Sequence, residues 1–213
     1  MIIGFLGKKG VGKDTSAKLL IDTYNFTRYA FGDPVKDVVK TMFCMDDEQL
    51  YGSKKEEIDP RWNVSPRTLF QVIGTNFAQY WLMLKLPELE EKVKMKHFWV
   101  KRFEMWLEND SNKNKNIVIT DVRFQHEVNT IKSKNGIIIK LINSNSSKSK
   151  DVHISETETD VINKSDIDYV IDNNTTIDEL HKKIDEIINK DFNLNKIKPA
   201  SYESNYEETI WGY

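Results

Sequence analysis

The sequence predicts a three-layer α/β fold in which a parallel sheet of about five strands lies between helices. One observation is a set of five short apolar runs that are bounded by polar or turn-forming residues. A second is the helical spacing of apolar residues between these runs, since parallel strands need long crossover connections. The third is a glycine-rich loop directly after the first run. The predicted strands are residues 1–6, 26–31, 117–121, 136–142 and 168–171.

The glycine-rich loop, residues 7–15, has the spacing of a phosphate-binding loop: glycine, four residues, then glycine and lysine. Glycines let backbone N–H groups approach phosphate oxygens, and the following helix adds the positive end of its dipole. One position departs from the usual pattern, because Asp14 follows the lysine and a hydroxyl arrives only at Thr15. The residues predicted to bind a nucleotide here are Gly7, Lys8, Gly10, Val11, Gly12, Lys13, Asp14 and Thr15.

Composition limits the classes of partner. The 213 residues include 31 basic and 33 acidic ones, for a net charge of −2, which gives no general attraction to nucleic acid or to an anionic membrane. Cys44 is the single cysteine, so an intrachain disulfide is excluded. No apolar run approaches the roughly 20 residues that cross a bilayer. We therefore expect a soluble, cytoplasmic protein whose partners are small molecules.

The turn after the second predicted strand carries two candidate ligand-binding residues. Asp33 and Lys36 lie where a strand ends at its carboxyl side, which is where open α/β sheets bind ligands. A structural interpretation is equally open. Asp33 would then cap the helix that begins at Pro34, and Lys36 would be a solvated charge.

Residues from about 43 to 110 are predicted to form a mostly helical insertion between two strands. Ser65 and Pro66 are a strong helix start, which places Arg67 in the first turn. The segment at residues 74–76 is expected to interrupt this helix. The aromatic stripe at residues 98–107 is expected to be core.

The third predicted strand ends in Asp121, a position typical of the carboxylate that holds magnesium in proteins with a phosphate loop. Arg123 follows it and is either a phosphate ligand or the partner of Glu127, four residues later. Further on, residues 143–156 form a polar, lid-like loop. A helix over residues 176–189 then closes the domain at 1–189 and leaves a tail at 190–213.

The order of these motifs resembles the phage- and large-virus-type deoxynucleoside monophosphate kinases. The resemblance covers about residues 1–189 and leaves the tail uncovered. Two positions depart from the family pattern, Asn76 in place of aspartate and His126 in place of asparagine. The matching segments are residues 7–15, 32–36, 66–75 and 120–124, together with Glu127, His153, Ser155, Glu156 and Asn173.

What the resemblance implies is transfer of the ATP γ-phosphate to a deoxynucleoside monophosphate (dNMP), with Mg²⁺, on a P-loop kinase fold, often as a homodimer. Lys13 and Asn173 would bind ATP, and Lys148 or Lys150 would close over it. Metal ligands would be Asp14, Thr15 and Asp121. Catalytic residues would be Lys13, Arg67, Asp121 and Arg123. Acceptor-binding residues would be Asp33, Lys36, Trp62, Arg67, Gln71, Gly74, Thr75, Arg123 and Glu127.

Two alternatives stay open from the sequence. One keeps the fold and changes the acceptor to phosphomevalonate, dephospho-CoA or a ribonucleoside monophosphate. The other is a nucleotide-dependent switch or binding module. A helical insertion that carries Arg67 favours a second-substrate pocket, and therefore a kinase, over a switch.

Overall fold

Five parallel strands form one sheet, as the sequence predicts, and the structure gives their spatial order as β2-β3-β1-β4-β5. The computed structural model describes residues 1–143, 159, 161–194 and 196. β2 stops two residues before the predicted end, because the chain turns at residues 30–32 into the next helix. The strands are β1 (Ile2–Leu6), β2 (Phe26–Tyr29), β3 (Asn116–Val122), β4 (Ile137–Ile142) and β5 (Tyr169–Asp172).

Helices cover both faces of the sheet, which is why its strands are apolar on both sides. Along β1, Ile3 and Phe5 pack into one apolar cluster, while Ile2 and Leu6 pack into the other. The helices are α1 (Lys13–Tyr24), α2 (Asp33–Phe43), α3 (Asp47–Leu50), α4 (Pro66–Gln71), α5 (Leu82–Lys85), α6 (Pro87–Glu90), α7 (Phe98–Glu108), α8 (Gln125–Ser133) and α9 (Ile177–Phe192). No helix among the described residues is long and apolar enough to cross a membrane.

The expected interruption at residues 74–76 is wrong. A ten-residue π-helix, Val72–Trp81, joins α4 to α5 without a break. Ser65 caps α4 as predicted, accepting a hydrogen bond from the backbone N–H of Thr68 at 3.2 Å. The aromatic stripe of α7 is core as expected, with Phe103 fully buried between Tyr29 and Phe31.

Sheet topology brings the functional segments to one edge. β1 pairs with β3, and β3 pairs with β2. The loop after β1, the end of β3 and the turn after β2 are therefore neighbours at the carboxyl edge, although about 100 residues separate the first from the second. This edge is the usual binding site of parallel α/β sheets.

Several predicted features lie wholly or partly outside the described residues. Of the lid-like loop at residues 143–156, only Asn143 is described, so Lys148, Lys150, His153, Ser155 and Glu156 fall outside. Of the tail, residues 195 and 197–213 fall outside. The last helix, α9, ends at Phe192, three residues later than predicted.

Candidate active site

A cleft of about 490 Å³ opens at the carboxyl edge of the sheet, between the phosphate-binding loop and the helices that follow β2. Four of its lining residues come from the loop: Lys9, Gly10, Lys13 and Asp14. The sheet edge supplies Arg28, Ala30, Phe31, Gly32, Thr120, Asp121, Arg123, Phe124 and Glu127. The helical side supplies Val35, Lys36, Leu50, Tyr51, Lys55, Arg67, Phe70, Gln71, Gly74, Thr75, Gln79 and Trp99.

The backbone of the loop needs glycine at two positions. Gly7 has a φ of 149°, and a Cβ there would lie 2.5 Å from the carbonyl oxygen of Leu141. Gly12 has a φ of 98°, and a Cβ there would lie 2.6 Å from the side-chain amide of Asn173. Both a left-handed conformation and close packing thus exclude larger residues. The resulting curve in the backbone leads directly into the N-terminus of α1.

Lys13 lies at the mouth of the loop. Its Nζ donates hydrogen bonds to the carbonyl oxygens of Gly7 at 2.6 Å and Lys8 at 2.8 Å. The side chain therefore curls back over the loop, and its ammonium group is held beside the surface that the loop presents to the cleft. A phosphate bound on that surface would meet this charge at once.

Asn173, which follows β5, supports the loop from behind. Its Nδ2 donates to the carbonyl oxygen of Val11 at 3.1 Å and packs against Gly12. Asn173 does not line the cleft, so its contact with the loop is structural. Four residues of the loop likewise shape it and are not part of the cleft lining: Gly7, Lys8, Val11 and Gly12.

Asp121 joins β3 to the turn after β2. Its Oδ1 accepts a hydrogen bond from the backbone N–H of Phe31, and its Oδ2 accepts one from Gly32, both at 2.8 Å. Desolvation raises the pKa of Asp121, although these two N–H groups act against it. Asp121 thereby holds the start of α2 in place and lines the cleft with the same carboxylate.

The turn that Asp121 holds carries a cluster of charges. Asp33 contacts the guanidinium group of Arg28 and accepts a hydrogen bond from Lys36 Nζ at 3.2 Å. Desolvation acts to raise the pKa of Asp33, but the two cations outweigh it and hold that pKa below its ordinary value. The predicted helix cap is wrong, because Gly32 is the N-cap of α2 and Asp33 is its first residue. Asp33 instead positions two cations at the cleft.

Glu127 is buried under the segment that follows β3. Its Oε2 accepts hydrogen bonds from the backbone N–H groups of Arg123 at 2.7 Å and Phe124 at 3.1 Å. Desolvation, with the nearby Asp121 carboxylate adding to it, raises the pKa of Glu127 to about 8. The carboxyl group therefore fixes the backbone that presents Arg123 to the cleft.

Replacing Glu127 by glutamine tests this buried carboxyl group. A folded-state pKa of about 8, against an ordinary 4.5, means that folded protein binds more protons than unfolded protein between these values. Wild-type stability should therefore fall as the pH rises from about 4.5 to 8, by up to about 1.4 kcal/mol per pH unit. Glu127→Gln keeps an acceptor oxygen and should lose this dependence. Urea unfolding from pH 5 to 8 measures it.

A matched control for that experiment is Glu186→Gln, which removes one carboxylate from the exposed face of α9. Its unfolding free energy should follow the wild-type pH profile. A Glu127→Gln variant that also followed the wild-type profile would show that Glu127 is ionised in the folded protein throughout this range.

The continuous helix from α4 through the π-helix brings four predicted acceptor residues to the cleft: Arg67, Gln71, Gly74 and Thr75. Trp62 is placed elsewhere. It does not line the cleft; its Nε1 donates to the carbonyl oxygen of Phe43 at 2.8 Å, and its ring packs edge-on against Phe43. Thr15, in the first turn of α1, is half-buried and also lies off the cleft lining.

Sequence reasoning missed several polar residues that line the cleft, among them Arg28 and Gln79. Arg28 lies in β2, and its sequence signal was a charge inside a short apolar strand, one residue before the strand's end. Gln79 is buried in the π-helix. Its position depends on that helix type, so the sequence carried no signal for it.

A phosphate-binding loop that faces arginines and lysines across one cleft, on a parallel α/β sheet, defines a P-loop phosphotransferase with two substrate sites. The model of the deoxynucleotide monophosphate kinase family matches residues 52–184, more than half of the chain. The chain belongs to this family and is a deoxynucleoside monophosphate kinase, as the resemblance implied.

One relative agrees with the family assignment. A protein of Acanthamoeba polyphaga mimivirus, provisionally named a deoxynucleotide monophosphate kinase, is 36% identical over 200 residues, which cover 92% of this chain and all of the relative. Solved structures with a similar fold include shikimate kinase from Aquifex aeolicus, at 15% identity and a TM-score of 0.45, covering 89% of this chain and 97% of that one. Dephospho-CoA kinase from Campylobacter jejuni, at 11% identity and a TM-score of 0.44, covers 89% and 96%.

Proposed function

We propose that this cleft binds ATP with Mg²⁺ on the loop side and a dNMP on the helical side, and transfers the γ-phosphoryl group to give the dNDP. The observation that carries the proposal is one cleft lined by Lys13 of the loop, Arg123 of the sheet edge and Arg67 of the helical side. Phosphoryl transfer needs two anions held in line and their charge neutralised, with little covalent chemistry from the protein.

On the donor side, the loop backbone and Lys13 bind the ATP phosphates. In exchanging the carbonyl oxygens of Gly7 and Lys8 for phosphate oxygens, Lys13 gives up two neutral acceptors for an anion. The ammonium group is attracted more strongly to the full negative charge of a phosphate than to a carbonyl dipole, so this exchange favours binding. Gly7, Lys8, Gly10, Val11 and Gly12 supply the curved backbone, and Asn173 keeps it in shape.

The oxygen ligands near the loop fit magnesium. Mg²⁺ prefers hard oxygen ligands and is usually held by one or two carboxylates together with substrate phosphates. The Asp14 carboxylate is exposed and lines the cleft, and that of Asp121 lies at the adjacent strand end. Asp14, with the Thr15 hydroxyl group and Asp121, would hold the ion. When bound, it would neutralise charge on the β- and γ-phosphates.

On the acceptor side, Arg67, Arg123 and Lys36 bind the α-phosphate of the dNMP and the charge that develops during transfer. The planar guanidinium group suits bidentate contact with phosphate. Asp33 orients Lys36, and Glu127 fixes the backbone at Arg123. Gln71, Gly74 and Thr75 border the space left for the sugar and base.

The proposal is tested by ADP release in a coupled assay with the four dNMPs, ribonucleoside monophosphates, phosphomevalonate and dephospho-CoA as acceptors. We expect at least one dNMP to raise ADP production well above the rate with water alone. If phosphomevalonate or dephospho-CoA gave a higher rate than any dNMP, the proposed acceptor would be wrong. If every acceptor left the rate at the water background, the cleft would not be that of a kinase.

We also propose a homodimer, and its support is an apolar patch on the outer side of the π-helix. Phe77 and Trp81 stack with their ring centroids 5.2 Å apart, yet they are 43% and 50% exposed; Leu84 is 69% exposed. Such patches mark interaction surfaces more often than chance. Trp81→Asp should halve the mass measured by light scattering, whereas Ile177→Asp, at an exposed residue on α9, should not. A wild-type monomer at micromolar concentration would contradict the proposal.

A further inference from the structure

The π-helix turns Gln79 towards the cleft. Positions five apart lie about 140° apart around an α-helix, whereas the i→i+5 hydrogen bonds of a π-helix bring them to nearly the same face. Gly74 and Gln79 are five apart within Val72–Trp81, and both line the cleft. π-helical segments are rare and occur often at functional sites.

Gln79 is a polar side chain in an apolar surrounding. It is 6% exposed, and Trp99, which lines the same part of the cleft, is 9% exposed. Within the described residues, the side chain of Gln79 makes one hydrogen bond, from Nε2 to the carbonyl oxygen of Gly74 at 3.4 Å. The indole N–H of Trp99 donates to the same oxygen at 2.7 Å. The Gly74 carbonyl is therefore satisfied without Gln79.

One end of the Gln79 amide thus lies against Gly74, and the other end borders the cleft. Buried polar groups almost always have hydrogen-bond partners, and leaving one unsatisfied is costly. The walls beside it are the side chains of Val35, Phe70 and Trp99, which are apolar or aromatic. A flat, largely apolar ligand with polar groups at its edge matches this end of the cleft, since aromatic walls pack on its faces while an amide meets its edge.

We propose that Gln79 hydrogen-bonds the edge of the acceptor's nucleobase and is a residue that determines which bases the enzyme accepts. The inference rests on the proposed function of the cleft and deepens it. The cations that bind the α-phosphate, Arg67, Arg123 and Lys36, lie along the same cleft. The acceptor would therefore lie with its phosphate against these cations and its base at the amide of Gln79.

The test compares kcat/KM for the four dNMPs in wild type, Gln79→Leu and Gln79→Met. Losing one hydrogen bond to the base should lower kcat/KM for the best dNMP about tenfold and change it less for the poorest, so that the spread among the four narrows. The KM for ATP should stay the same. Gln79→Met keeps the length of the side chain and guards against a variant that fails to fold.

Ala78→Gly is the control, because Ala78 is buried in the same π-helix beside Gln79 without lining the cleft, and glycine weakens a helix. If Gln79 served only the helix, Ala78→Gly would narrow the spread of kcat/KM among the four dNMPs at least as much. That result would overturn the role of Gln79 in base selection. So would an equal loss of kcat/KM for all four dNMPs in Gln79→Leu. We expect the spread of kcat/KM among the four dNMPs to narrow in Gln79→Leu and not in the control. Wild-type turnover of a dNMP is measured first, and its absence would overturn the proposed function itself.

Discussion

Replacing Lys13 by alanine should lower kcat by about 10³-fold, the cost of removing one strong, fixed source of transition-state charge stabilisation. The ammonium group lies at the mouth of the loop, held by carbonyl oxygens of Gly7 and Lys8. Lys9, the other loop lysine that lines the cleft, is drawn towards Glu56 by an ion pair at 3.1 Å. Steady-state ADP release at saturating dNMP and ATP measures the effect.

The control for Lys13→Ala is Lys18→Ala, five residues further along α1. Lys18 is exposed and pairs with Asp22 at 2.8 Å, an interaction of the kind that contributes little to stability. Its turnover should match that of wild type. Near-normal turnover in Lys13→Ala, with an unchanged circular dichroism spectrum, would refute the assignment of the loop.

Replacing Arg67 by alanine should raise the KM for the dNMP about 10- to 100-fold while leaving the KM for ATP within about threefold. A hydrogen bond to a charged group contributes roughly 1.5–3 kcal/mol. Arg67 lies in the first turn of α4 and lines the cleft from its helical side. The measurement is a matrix of initial rates in which both substrates are varied.

Arg67→Lys is the matched variant, because it keeps the charge and loses the planar, two-pronged geometry of guanidinium. We expect a KM for the dNMP between those of wild type and Arg67→Ala. If Arg67→Ala changed only the KM for ATP, Arg67 would belong to the donor side, and the two halves of the cleft would have to be exchanged.

The acceptor-side residues illustrate the limits of reading sequence alone. Arg67 was predictable because Ser65 and Pro66 fix where α4 begins. Gln79 was not, because its direction depends on a π-helix, whose Gly74 lies against Val35 of α2 and accepts a hydrogen bond from Trp99 of α7. Trp62 was predicted to bind the acceptor, but it does not line the cleft, for a related reason. A tryptophan beside an arginine suits a binding loop, but the Phe43 carbonyl and ring hold it outside the cleft.

For the charged residues too, the sequence indicated the positions but not the contacts. Asp33 and Asp121 could be selected by position at strand ends, and Glu127 by its spacing from Arg123, yet their contacts could not. Asp121 binds two amides that are some 90 residues away in the chain, and Asp33 pairs with Arg28 of the preceding strand. Such contacts form only after parallel strands align, so local sequence carries no record of them.

By itself the sequence determined the parallel sheet and the phosphate-binding loop, and the order of its motifs resembles the kinase family. The sheet and the loop depend on local spacing, such as glycines that permit a left-handed backbone and apolar runs that favour buried strands. Tertiary structure decided which side chains share the cleft, what raises the pKa of Glu127, and where Gln79 points. The physical reason is that burial and hydrogen bonding between distant segments are properties of the packed chain, whereas backbone conformation is set largely by neighbouring residues.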